Sequence, residues 1–306
     1  MERLESIIRG DCETSKVMIH YIEHKDINFE KWDACVANSF NRLIYGFSWY
    51  LDVVCDDWDA LVLNDYEAVF PLPKRKKWGI EYICQPFFCQ KLGVFSKKEV
   101  AIEPFLNCIP KQFKYLELNV GSSNCFVVQE NSNYELAIVK TVESYFSKNT
   151  ARNISKAKAS NLSLVSNISL EKHISLFNKN LSKLGISQKD LAVYVRLCYV
   201  LITNNAGKIY AVFDEFNNLV ASSLIAIDAQ RIYYLNGAIN QMGRNVGASH
   251  WMIAEIMKSF SGKIFDFEGS NIEGVARFYL GFGAKKTSYP TIKINRLPFY
   301  LKWVKS

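Results

Sequence analysis

Histidine and closely paired cysteine are what this 306-residue sequence lacks. Four histidines stand at 20, 24, 173 and 250, and eight cysteines at 12, 35, 55, 84, 89, 108, 125 and 198, with no pair at CxxC spacing. No zinc pattern results, and a metal site is not expected. No histidine spacing suggests a cysteine–histidine dyad, so the thiols read as small, mostly buried side chains of a reducing compartment. Long apolar runs are also missing. The longest, Leu191–Ile202, is broken by Arg196 and falls short of the roughly 20 residues a bilayer span needs. Met1–Gly10 carries Glu2, Arg3, Glu5 and Arg9 and no apolar stretch, so a secretory leader is not expected and the cytoplasm is the expected compartment. Charge of one sign is modest too: 37 Lys and Arg against 30 Asp and Glu leave +7. There is no dense basic stripe, which excludes duplex DNA as a partner.

Apolar residues are plentiful, at 49% with 14% aromatic, enough for a sizeable core and for one large domain or two ordinary ones. The chain reads as two related halves. Trp58–Leu63 and Tyr66–Phe70, joined by Asn64-Asp65, form one hairpin signal; Ile209–Phe213 and Leu219–Ile227, flanking Asp214–Asn218, form another. A Gln-bearing, Gly-containing loop follows each, at 85–93 and 240–247, then a helix-like segment, Glu99–Ile109 and Ala248–Phe260. A strand comes last, and Lys114–Ser122 parallels Lys263–Ser270 at an offset of 149. Hairpins alternating with helices argue for an α+β or α/β architecture. Turn-like residues at 131–133 and 147–149 mark the junction between the halves. Ser169 reads as the cap of a helix with Ile174, Phe177, Leu181 and Leu184 on one face, ending at Gly185, and Ser187 with Asp190 resembles a capping box.

Five segments carry candidate chemistry, each with a plainer structural alternative. Arg244-Asn245-Val246-Gly247-Ala248-Ser249 follows a strand and opens a helix, a place where unpaired N–H groups and a side-chain cation receive an anion such as pyrophosphate; it also reads as an ordinary glycine turn. Asp266 and Glu268 alternate onto one strand face, as a general base would, or as half of a structural ion pair. Tyr279 suits proton donation and Arg277 an anion, within a short helix ended by glycine where both also suit packing and solvation. Lys148–Lys158 is a basic amphipathic helix whose Arg152 and Lys156 suit a phosphate or carboxylate, or simply water. Lys74-Arg75-Lys76-Lys77 reads as a solvated turn between strands or as a contact for nucleotide or RNA phosphate.

Taken together these residues resemble the FemAB/FemX aminoacyltransferases. Asp266-Phe267-Glu268-Gly269, Gly274-Val275, Arg277-Phe278 and Gly281-Phe282-Gly283 are similar to that family's C-terminal signature, and Arg152–Ala157 to its basic helix. The resemblance implies two tandem GNAT-like domains, 1–140 and 141–306, each a mixed, mostly antiparallel sheet flanked by helices. It implies amide-bond formation on an amine acceptor, from an aminoacyl-tRNA donor in the bacterial, peptidoglycan-linked members or from acyl-CoA in wider GNAT relatives, with no tightly bound cofactor. It implies Asp266, Glu268 and Tyr279 as catalytic residues, Arg244–Ser249 as the donor's pyrophosphate loop, and Arg152, Lys156 and Arg277 as substrate contacts, with tRNA a candidate partner. The sequence departs from the pattern where the family carries Lys after the aromatic and Tyr279 stands here, where Ser249 closes the loop motif, and where no room is left for a helical arm. A non-catalytic binder of a ligand or protein, or an RNA-binding module resting on the two basic runs, are the alternatives.

Overall fold

The computed structural model describes residues 18–166, 168–178 and 187–299. Leu181, Leu184, Gly185, Cys12 and Met1–Gly10 lie outside them. Among the described residues thirteen strands follow the chain order β1 Ile19–Ile22, β2 Asp57–Leu63, β3 Ala68–Lys77, β4 Ile80–Cys84, β5 Phe95–Ser96, β6 Phe113–Asn119, β7 Val127–Ala137, β8 Ser163–Ser166, β9 Gly207–Phe213, β10 Leu219–Ile227, β11 Arg231–Ile239, β12 Ile264–Asp266 and β13 Lys285–Asn295. They join in one sheet ordered β1-β2-β3-β4-β6-β13-β7-β12-β11-β10-β9-β8, with β5 on β3.

Pairing between these strands is antiparallel except at two places, β4 with β6 and β11 with β12. Each parallel pair needs a crossover, and a helix supplies it: Glu103–Asn107 in the first half and Ala248–Lys258 in the second. The internal repeat is therefore present as a repeated hairpin, crossover helix and parallel strand. The first crossover helix is shorter than the expected Glu99–Ile109. Pro104 sits in its first turn, where a missing N–H costs nothing, and Pro110 lies just beyond its end.

The halves are stitched by exchanged strands. β13, the last of the described strands, lies between β6 and β7, and β7 lies between β13 and β12. Asn131–Asn133, read from sequence as a turn, is instead the middle of β7. Its amides are spent across the seam: Asn131 Nδ2 donates to Thr291 Oγ1 (2.7 Å), and Gln90 Nε2 donates to Asn133 Oδ1 (2.9 Å). Lys74–Lys77 is likewise strand rather than turn. The chain reverses at Trp78 and Gly79, both at positive φ (51° and 77°), as a two-residue hairpin loop requires.

Two cores sandwich the sheet. One runs from the first half into the second, where helices Leu170–Asn178 and Gln188–Thr203 contribute Phe177, Tyr194 and Leu197 beside Tyr50 and Leu51 of helix Ser48–Val54. Ser187 and Asp190 form the reciprocal capping box expected of them. The other core belongs to the second half, under helices Lys148–Lys158, Ala248–Lys258 and Glu273–Leu280. Ser147 caps the first of these, accepting from the Thr150 N–H at 3.2 Å. Among the described residues seven cysteines are free thiols; burial pushes Cys35 up to about 11 and Cys198 up to about 12, which keeps these two protonated and poor nucleophiles. Among the described residues no helix is long and apolar enough to cross a membrane.

Gly269 is a tight point of the seam: its φ is +79°, and a Cβ there would run into the Ser132 carbonyl of β7. Gly79 shares the left-handed backbone, with open space around it. Gly269→Ala should therefore lose about 2–5 kcal/mol in urea unfolding, from left-handed strain plus overpacking, against about 1–2 kcal/mol for Gly79→Ala. Equal losses would show that the seam yields.

Candidate active site

Strands β11 and β12 run parallel from Arg231↔Ile264 to Tyr233↔Asp266, and there β12 ends. Beyond that point β11 bulges: its pairing with β10 moves from Ile225↔Tyr234 to Leu224↔Asn236, leaving out Leu235. A bulge re-aims side chains and loosens a ladder. The result is a wedge between β11 and the segment after β12, a cleft of about 700 Å³ lined by Tyr234, Asn236, Arg244, Gly247, Ser249, Glu268 and Tyr279, among others.

Asp266 and Glu268 go to different surroundings, because the strand stops between them. Asp266 is fully buried in an ion-pair cluster: Arg231 Nη1 lies 3.2 Å from its Oδ2 and 2.9 Å from Glu135 Oε1. Its Oδ1 accepts the Glu268 N–H at 3.0 Å. Burial, reinforced by Glu135, raises its carboxyl against the pull of Lys91 and Arg231. It fixes the turn and does not line the cleft.

Glu268 follows in the left-handed region (φ 68°), with Gly269 after it (φ 79°), so the chain swings into the cleft. A non-glycine residue held there stores strain. Burial pushes the Glu268 carboxyl up to about 8. Tyr45, wholly buried in the first half, donates its hydroxyl to Oε1, and Gln90 donates to the Glu268 carbonyl. A carboxylate titrating near neutrality is a stronger base than an ordinary one and is still partly ionised. Tyr279 faces the same cleft. Its ring packs 4.7 Å from Phe267 and 5.8 Å from Tyr134, and burial lifts its hydroxyl well above the usual phenol range.

The stretch 244–249 is not an open loop. Gln241–Val246 is a short helix, Gly247 turns left-handed (φ 76°), and the helix Ala248–Lys258 begins at once. A Cβ at Gly247 would lie 2.6 Å from the Asn153 carbonyl, so the basic helix Lys148–Lys158 presses on this junction. The second helix has no side-chain cap, and the N–H groups of Ala248 and Ser249 have no partner among the described residues. Arg244, Gly247 and Ser249 line the cleft beside this uncapped end. Val246 and Ala248 are buried in the core, and the exposed Asn245 accepts from Gln241 (2.9 Å), so these three shape the junction from behind.

Three other candidates do not converge on the cleft. Arg152 and Lys156 are exposed on helix Lys148–Lys158, whose Thr150, Ile154 and Ala157 face inward; Arg152 donates to Asn149 at 3.0 Å. Arg277 is exposed and paired with Glu273 at 2.6 Å. The structure adds residues that the sequence reading did not single out. Tyr45 acts on Glu268 from 223 positions away, with no local signal. Asn236 lines the cleft with its Oδ1 buried and without a hydrogen-bond partner among the described residues. Gln90 was visible only as part of the repeated glutamine-bearing loop.

No protein-family model matches the sequence, and no curated protein matches it. Solved structures do match. FemX superposes with a TM-score of 0.68 at 11% identity, covering 94% of this chain and 100% of that one. L-PGS from Bacillus licheniformis gives 0.57 at 10%, covering 90% and 94%. A tandem GNAT protein from the clavulanic acid biosynthesis pathway gives 0.52 at 7%, covering 92% and 99%. The fold is therefore the FemX-like, tandem GNAT fold.

Two titrations follow from the site. Because Glu268 holds its proton above the unfolded value, the unfolded chain releases a proton first, and unfolding free energy falls as pH rises from the ordinary glutamate range to about 8. Glu268→Gln should remove that fall in urea denaturation. Tyr45→Phe deletes a donor to the ionised carboxylate and should raise the Glu268 pKa further, read from its carboxyl carbon by NMR; an unchanged value would separate Tyr45 from the site.

Proposed function

We propose that the protein transfers an acyl or aminoacyl group to an amine, forming an amide in the wedge between β11 and the Glu268 turn. The observation that carries this reading is the convergence of a raised-pKa carboxyl, a tyrosine hydroxyl and an uncapped helix end with Arg244 in one cleft. The acceptor amine must be neutral to attack. Its nitrogen forms a bond to the donor carbonyl carbon, the carbon–sulfur or carbon–oxygen bond of a thioester or ester breaks, and the ammonium proton passes to Glu268. Tyr279 protonates the departing thiolate or alkoxide; Glu268 then gives up its proton to solvent and Tyr279 regains one from it, so both groups return to their starting states. Arg244 and the free N–H groups at Ala248 and Ser249 hold a phosphate of the donor. Holding donor and acceptor in one cleft supplies much of the rate.

The donor classes this seat suits are acyl-CoA and aminoacyl-tRNA, both carrying phosphate behind an activated carbonyl. FemX and the tandem GNAT protein share the fold, which supports the reaction class and leaves the acceptor open. An acceptor amine linked to cell-wall synthesis, and a cytoplasmic location, belong to the same reading.

The purified chain should bind one of the two donor classes saturably and release thiol or free tRNA in the presence of an amine panel. Glu268→Gln should lower kcat about 10²-fold or more with KM little changed, and Arg244→Ala should act mainly on donor KM. Saturable binding without turnover would replace the transferase by a ligand-binding descendant of the fold, and no binding of either donor would overturn the reading altogether.

A further inference from the structure

Asparagine is a poor strand former, yet Asn236 stands inside β11, at the bulge that opens the wedge. A regular ladder would set Leu235 opposite Leu224; the bulge sets Asn236 there instead. Asn236 lines the cleft together with Arg244, Glu268 and Tyr279. Gly237 follows on the same wall, where a Cβ would run into the Tyr234 hydroxyl, so the position beside Asn236 stays bare. The Asn236 amide makes no side-chain hydrogen bond among the described residues. Its Oδ1 is buried and orphaned; its Nδ2 is equally without a partner but is not buried. The orientation of an amide follows from what each end would leave unpaired. Turned round, this one would bury two orphan N–H donors in place of one orphan acceptor, the worse arrangement. The wall therefore holds the oxygen and the cleft receives the N–H pair. An unpaired N–H donor in a cleft calls for an acceptor atom on the ligand.

We propose that Asn236 Nδ2 donates a hydrogen bond to the oxyanion that forms when the amine adds to the donor carbonyl, a catalytic role that rests on the transferase reading above. As the amine nitrogen bonds to the carbonyl carbon, the π pair of the C=O bond moves onto oxygen. Collapse returns that pair to the C=O bond and expels the thiolate or alkoxide. The groups already assigned leave this oxygen without a partner. Glu268 takes the amine proton, Tyr279 serves the leaving group, and Arg244 with the free N–H groups of Ala248 and Ser249 holds phosphate. A donor fixed in a cleft wall acts on charge as it develops, with no proton transferred and little reorganisation. The orphaned Oδ1 fits the same role. An unpaired buried acceptor weakens a fold, and a position that keeps one is explained by function rather than by packing.

The test compares the full wild-type chain with Asn236→Leu, which keeps the side chain's size and removes its N–H donors. Acetyl-CoA and alanyl-tRNA serve as acyl donors and the amine panel as acceptors. In Asn236→Leu, kcat should fall about 10²-fold or more while KM for the acyl donor changes by less than about twofold. Its thermal midpoint should equal or exceed that of the wild type, because the orphaned Oδ1 is gone. Should Asn236→Leu not fold, Asn236→Ala takes its place, with kcat lower by about tenfold or more, since water is the donor left in the vacated space. Unchanged kcat, a loss confined to KM, or, in Asn236→Leu, a kcat loss matched by a lowered midpoint would each overturn the role of Asn236 and leave the transferase reading standing. No turnover by the wild-type chain with either acyl donor would remove that reading, and this role with it.

Discussion

The position of β7 is the constraint on which the rest depends. By lying between β12 and β13 it carries backbone from the first half of the sequence under the second half's Glu268 turn. Its Ser132 carbonyl admits only glycine at 269, its Glu135 pairs with Arg231, and its Asn133 receives Gln90. Glu268 is thus held by groups from both halves. An edge strand would leave the turn free; a strand locked on both sides cannot shift without breaking two ladders.

Charge placement follows from that lock. Burying a carboxylate is costly unless it is paired. Asp266 has its pair in Arg231 and serves geometry. Glu268 has a phenol and no cation, so its neutral form is favoured and its pKa rises into the range where proton transfer is useful. Two acids separated by one residue therefore do different work, because the strand ends between them and sends one into the sheet and the other into the wedge.

Much of the fold was legible in the sequence, and less of the site. The hairpins around Asn64-Asp65 and Asp214–Asn218, the Ser187–Asp190 box and the glycine-ended helix at 273–280 are each encoded within a few residues, by turn chemistry, capping and apolar period. The repeat and the family resemblance singled out Glu268, Tyr279, Arg244, Gly247 and Ser249, which line one cleft. Arg152, Lys156 and Arg277 belonged to the same motifs yet lie outside it, because a helix that packs one face must turn the other to water. Asn131–Asn133 read as a turn because asparagine satisfies its amide locally in loops; here the amides are satisfied across a seam.

By itself the sequence determined what short-range physics determines: where strands reverse, where helices start and stop, which faces are apolar, and that two halves share one plan. Tertiary structure alone decided which strand lies beside which, and with it the pairing of Tyr45 with Glu268, Arg231 with Glu135 and Gly269 with Ser132. Those partners are separated by roughly a hundred residues or more, and their energies arise from desolvation and close contact, which no local pattern of residue types records.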